Sequence, residues 1–485
     1  MLTANKNWTI KPTNSIQRGI KMSRLIRSMQ YKDTLTENQM PTHSSSGDAC
    51  VDFFGVVGSA RNWSEDQIVA AFTKALATDP LIAMRILFWA RDIRGGAGER
   101  RVFRVCLSYL NDNHNYYLNK NIHLVPEYGR WDDLFHLDNK NIFVLIKNAL
   151  YEKDGLLAKW LPRGGAFANK VRNFMNLTPK EYRKLVVSLS NTVEQKLCTK
   201  TWDAIKYEHV PSVAMNKYRK AFLRNDKLRF SEYIEDVLSG NTTIKSAALF
   251  PYQLFQAYKR GENKGAVEAQ WKNLPNYMTN NEVRILPMCD VSGSMNMGYG
   301  GSVKPMDISV SLGIYISERN EGPFKDAFMT FSAKPSIQYL KGSFYSRCQQ
   351  LLRAHWDMNT DLSAAFNMLL ESAIRAKITE EEMPNVLLII SDMQFDSCVR
   401  NDKNTAMEMI KRKYKTAGYE VPSVVFWNVN ARPSQSPVKF DDRGTALVSG
   451  CSPSILKSVL DGSIVDPRAV MLKTIMSERY EAITV

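Results

Sequence analysis

Between Val283 and Met295 the chain reads VRILPMCDVSGSM: an apolar run, one aspartate, then two serines a single residue apart. Asp290, Ser292 and Ser294 thus offer three oxygens from one tight turn. Hard divalent cations such as Mg2+ or Mn2+ take oxygen ligands and keep part of their water, so a few protein oxygens suffice. Two more are expected from elsewhere in the chain. Thr360, in MNTDLS, precedes an amphipathic stretch, and Asp392 closes the apolar run NVLLIISD; both positions read as the carboxyl edge of a sheet. Nucleases that use paired metals gather several carboxylates around them. This set mixes hydroxyls with two carboxylates and has no accompanying base, so it reads as a site that holds a cation and not as an enzyme.

Other chemistry-bearing stretches read more plainly. RDIRGGAGERRVFR, Arg91 to Arg104, has the glycines of a phosphate loop but lacks the Gly-Lys-Ser/Thr of a nucleotide site. It is read as an interhelical turn carrying arginines, and no nucleotide cofactor is expected. Asp132 and Asp133, in EYGRWDDLF, suit a helix N-terminus. Six histidines show no ligand spacing, and seven cysteines never form C-x-x-C, which argues for reduced thiols and against zinc or a disulfide framework.

The elements that must position these residues change character along the chain. Residues 1–50 form a polar arm with a basic patch, NSIQRGIKMSRLIRSMQ, ending in a linker-like SSSGD run. From 51 to 280 the apolar residues recur every three or four, and Gly, Pro or Asn-Asp pairs punctuate the segments, as in a helical solenoid or bundle. Ser64 before Glu65 and Asp66 is a credible N-cap, and Thr178-Pro179 starts another helix. From 281 to 485 apolar strands (ILPMC, DAFMTF, NVLLIIS, PSVVFWNVN, TALVSG) alternate with amphipathic helices. That alternation predicts a parallel sheet covered on both faces, with ligands held beyond the carboxyl ends of its strands.

The net charge of +15 lies entirely upstream of the sheet: residues 1–280 hold 41 Lys and Arg against 26 Asp and Glu, and the remainder is neutral. Such an imbalance favours a polyanionic partner. It is densest from Lys159 to Arg229, where cations interleave with aromatics. Cations anchor phosphates and aromatic faces stack on unpaired bases. At helical spacing, however, the aromatics belong to the core. The candidate RNA contacts are therefore Lys170 and Arg172, then Arg183, Lys217, Arg219, Lys220 and Arg224. No apolar run reaches the roughly 18 residues of a membrane span, and no signal peptide is visible. A cytoplasmic protein is expected, with mitochondrial targeting by the basic N-terminus as the alternative.

Asp290-x-Ser292-x-Ser294 followed by Thr360 and Asp392 resembles the metal-ion-dependent adhesion site of von Willebrand factor type A domains. Here MNT replaces the usual GGT, and Asp392-Met393 the usual Asp-Gly. The resemblance implies serine and threonine ligands, aspartates acting directly or through water, and a sixth position for a partner's carboxylate. The order of RDIRGGAGER, YGRWDDL, KWLP, EYRK, VPS, DVSGSM, SDMQF and VVFWNVN over residues 60–450 resembles the Ro autoantigen (TROVE-domain) family, above all its uncharacterised plant, protist and viral relatives. It implies a ring of HEAT-like helices closed by a Rossmann-like type A domain, binding small noncoding, structured or single-stranded RNA. A protein-interaction scaffold that uses the metal site without RNA is the alternative.

Overall fold

The computed structural model describes residues 34–279, 283–296, 303–330, 335–353, 361–395, 406–460 and 464–485. The basic patch between residues 14 and 30 lies outside them, as does Thr360. Within them a short strand pair is followed by helices from residue 49 to 272 and then by a mixed sheet with helices, an α plus α/β architecture. Ser64 and Thr178 cap their helices reciprocally with Gln67 and Glu181, satisfying amides that a helix start leaves unpaired.

Among the described residues the sheet has six strands in the order β5-β4-β3-β6-β7-β8. Its centre is β3 (Ile285–Cys289), flanked by β4 (Ala327–Thr330) and β6 (Val386–Ser391); β7 (Ser423–Asn428) and β8 (Thr445–Ser449) follow, all parallel. Strands β3, β4, β6 and β8 are buried along their whole length, which is why each reads as a continuous apolar run. The edge strand β5 (Ser336–Tyr339) is antiparallel and mostly exposed, and its sequence SIQY carries no apolar run to announce it.

Residues 34–48 are not a linker. Two short strands, β1 (Thr34–Leu35) and β2 (Pro41–Thr42), pair antiparallel. The Thr36 hydroxyl donates to the Phe395 carbonyl at 2.8 Å and Asn38 to the Gln394 carbonyl at 2.9 Å, so this strap lies along the sheet's carboxyl edge. In the serine run, Ser45 and the Ser46 amide both hydrogen-bond Asp52, and Asp48 caps the next helix.

That helix, Ala49–Val57, is buried on most sides and packs against β8. Gly58 marks the contact: a Cβ there would meet the Ser449 carbonyl oxygen at 2.1 Å, so only glycine admits this approach. At the other end of the helical half, Lys259 pairs with buried Asp307 at 2.7 Å, and Trp271 stacks on Phe344 with centroids 3.9 Å apart. The intervening helices are therefore anchored to the α/β half at both ends. One hydrophobic core runs through the sheet, the helices as far as Val186 and again the segment from Leu249 to Met278, and a second, separate core gathers Ile205, Tyr207, Phe222, Phe230 and their neighbours.

Candidate functional site

Two stretches of the site come from neighbouring parallel strands. Because Cys289 on β3 pairs in register with Ile390 on β6, Asp290 and Asp392 emerge side by side from the sheet's carboxyl edge, where the chain leaves β3 in one direction and β6 in the other. Asp290 is fully buried; one of its oxygens accepts from the Ser292 amide at 2.9 Å and the other from the Ser391 hydroxyl at 2.5 Å. The turn brings the Ser292 and Ser294 hydroxyls within 3.0 Å of each other. Asp392 is fully buried as well, and its Oδ1 accepts from the Gln394 amide at 3.3 Å. Its Oδ2 is buried with no hydrogen-bond partner among the described residues.

Burial pushes the Asp392 carboxyl up to about 7, and the negative charge of Asp290 adds to the shift; Ser294, Gln394 and Arg432 offset it only in part. Two buried carboxylates at neighbouring strand ends, each raising the cost of the other's charge, one with an oxygen unpaired among the described residues, form an arrangement that a cation would relieve, so the residues fit a divalent ion. Among the described residues no three His, Cys, Asp or Glu side chains gather as a metal cluster. A cation here would rely on the serine hydroxyls beside the two aspartates. Of the five expected ligands, four are brought together, and Thr360 lies outside the described residues.

Ser391 was not among the expected site residues, although it orients both halves: its hydroxyl donates to Asp290 and accepts from the Met393 amide at 2.9 Å. Its place directly before Asp392 was the available signal. Arg432, also unanticipated, ion-pairs with Glu37 of the strap at 3.1 Å.

The expected RNA contacts divide. Lys170, Arg183, Lys217, Lys220 and Arg224 are exposed and Arg172 is half-buried. Lys170 already pairs with Asp138 at 2.9 Å. Arg219 is a correction: it is 1% exposed, its Nε 2.7 Å from Glu262 and its Nη1 2.9 Å from Gln270. A guanidinium so enclosed holds the second core together and is out of reach of a phosphate. Among the interleaved aromatics Tyr182 and Phe222 are core, as helical spacing implies, whereas Phe174 is 39% exposed.

The described structure also sharpens the charge map. Residues 34–150 hold 12 Lys and Arg against 13 Asp and Glu, while 151–279 hold 22 against 12, a net +10.

The glycine-arginine stretch is a joint between the two halves. Asp92 binds Arg479 through two hydrogen bonds and accepts from the Tyr480 hydroxyl at 3.0 Å, while Ser454 donates to the Gly96 carbonyl at 2.8 Å. A Cβ on Gly96 would meet the Trp89 carbonyl oxygen at 1.9 Å, so backbone packing accounts for this glycine. Asp133 lies in the first turn of the short helix Trp131–Asp133, as expected of a helix start, and accepts from the Arg130 amide at 3.0 Å; it also accepts from Arg91 and Arg104, each at 2.7 Å. Burial pushes its carboxyl up, but the two arginines more than reverse that and hold it below the ordinary value.

Residues 36–148 and 146–282 match the domain of unknown function DUF2828. The chain belongs to this family. Residues 284–482 match a further domain of unknown function, DUF7788. An uncharacterised protein, L728, of Acanthamoeba polyphaga mimivirus is 30% identical over 90% of this DUF2828 chain and 86% of its own length. Among solved structures, the Ro (RSR) protein of Deinococcus radiodurans matches over 89% of this chain and 99% of that one. With a TM-score of 0.40 and 13% identity the likeness is loose, and no residue role is carried over from it.

Proposed function

We propose that this DUF2828 protein is a non-enzymatic RNA-binding protein of Ro-like ribonucleoprotein type. Its outer helices grip phosphate, and its α/β half holds Mg2+ or Mn2+ for a partner's carboxylate. The observation that carries the reading is the net charge of +10 on residues 151–279, beside −1 on 34–150 and a neutral sheet half. Lys170, Arg183, Lys217, Lys220 and Arg224, with Arg172, would supply most of the affinity by releasing counterions from the RNA. A helical arc fixed to the α/β half at both ends is in keeping with a closed arrangement of HEAT-like repeats. Asp290, Ser292, Ser294 and Asp392 would hold the ion, with Thr360 expected as a further ligand. The protein would work in a reducing cytoplasm, where the six described cysteines stay free thiols. Filter binding to a structured RNA at two salt concentrations tests the reading: affinity should fall steeply with salt, and weak or salt-insensitive binding overturns it.

The orphaned Asp392 oxygen favours a second reading, a scaffold that recruits an acidic protein partner through the metal without RNA. Pull-downs separate the two. Loss of a protein partner on Asp290→Ala, with no nucleic acid recovered from wild type, supports the scaffold. Nuclease-sensitive material lost on charge reversal at Lys170 supports RNA.

A further inference from the structure

The seam between the two hydrophobic cores opens as a cleft of about 740 Å3. Its apolar surface comes from Leu156 on one side and Val193 and Val210 on the other, and Leu156 is 66% exposed at its wall. Lys159, Lys196 and Lys206 line the same space. Asp154 is the one carboxylate in the lining, and it is already engaged: it accepts from the Leu156 and Leu157 amides at 2.7 and 3.0 Å and from Trp131 Nε1 at 3.0 Å. Glu194 forms a long ion pair with Lys159 at 3.8 Å, beyond direct hydrogen-bond distance, which a phosphate would have to displace or share. Lys196 gives one donor to the Ala204 carbonyl at 2.9 Å and keeps two. Lys206 is exposed and makes no ion pair among the described residues. His209, also in the lining, lies 3.5 Å from Glu208 at the surface.

We propose that this cleft binds a phosphate ester of roughly mononucleotide size, its phosphate on Lys159, Lys196 and Lys206 and its organic body against Leu156, Val193 and Val210. Small-molecule sites of a few hundred to about 1,000 Å3 combine an apolar lining with a few converging polar groups in this way. A compact ammonium serves as a point charge for phosphate. The proposal goes beyond RNA binding by the outer helices: it assigns a bounded site to a phosphate carried either by a free nucleotide or by the end of an RNA chain.

The test uses the full chain and a fluorescent methylanthraniloyl derivative of AMP. Saturable binding is expected, displaced by AMP but not by adenosine. Lys206→Glu should weaken it at least tenfold, and Leu156→Glu, which places a carboxylate in the cleft, should do the same. Lys245→Glu, equally exposed but outside the lining, should change it less than twofold. Displacement by a 5′-phosphorylated pentauridylate at far lower concentration than by UMP assigns the site to a chain end; equal potency assigns it to free nucleotides. The proposal fails if binding does not saturate, if adenosine competes as well as AMP, or if Lys245→Glu matches Lys206→Glu. Loss of structured-RNA binding with methylanthraniloyl-AMP binding intact would remove the outer-helix reading and leave the cleft standing; the reverse pattern would remove the cleft alone.

Discussion

Residues 34–150 and residues 151–279 are both helical, yet they are stabilised in opposite ways. The first stretch is nearly neutral, shares its core with the sheet, and spends its arginines internally: Arg91 and Arg104 on Asp133, Arg100 on Asp132. The second carries the excess charge on exposed lysines and arginines over a core partly its own. The arginines of the first stretch are thus structural fasteners; in the second, Arg219 is enclosed and Arg163 and Arg229 hold backbone carbonyls, whereas Arg183 and Arg224 stand exposed. Counting charges along the chain does not separate these roles, because burial decides them.

The contrast breaks most visibly at Arg91. The Arg91→Met variant leaves a buried carboxylate short of one partner and should cost about 3 kcal/mol in urea unfolding. Because Asp133 titrates below its ordinary value, its charged form stabilises the fold above the unfolded value of about 4 and the gain is lost as pH falls through the folded value. The acid-unfolding midpoint of Arg91→Met should accordingly move to higher pH.

Next in size is the metal. At a hundredfold excess over its dissociation constant, Mg2+ should stabilise the wild type by about 2.7 kcal/mol, and Asp392→Asn should abolish that shift in a thermal melt. Without metal the sign reverses. The Asp392 carboxyl is raised to about 7 in the fold, so its charge destabilises the protein above that pH and the loss is recovered as pH falls. Metal-free Asp392→Asn should therefore be the more stable protein at pH 8, and a melt showing it weaker would contradict the buried-pair geometry.

On the outer helices, combined reversal of Lys170, Arg183 and Lys220 to Glu should lower RNA affinity at least tenfold. It should also reduce the slope of log K against log salt by about 2 to 3 in filter binding. The smallest effect expected is on folding: the same three exposed changes should move stability by no more than about 0.5 kcal/mol each. A large loss of stability there would erase the distinction between the two stretches.

The buried strands β3 and β6 and their terminal aspartates were legible because a strand covered on both faces must be apolar throughout, and its first polar residue marks its end. Strand β5 was not, since an exposed edge strand lacks that signature. The serine run of the strap was misread because serine, glycine and aspartate serve equally in a linker and in a capped turn, and contacts 394 and 420 residues away, from Lys439 to the Ser45 carbonyl and from Arg468 to Asp48, decide between them. The same holds for Arg219, whose partner Glu262 lies 43 residues downstream in the connection between two later helices.

Gly58 sits where a helix near the chain's start presses on the last strand of the sheet, so the polypeptide closes into a circuit through its own core. Neither half is then a self-sufficient folding unit. Separated at residue 282, the helices would expose Val51, Phe54 and Val57 to water, and β8 would lose its cover and become a template for aggregation. The two halves are expected to mature together, once β8 has been made and the helix Ala49–Val57 can settle against it.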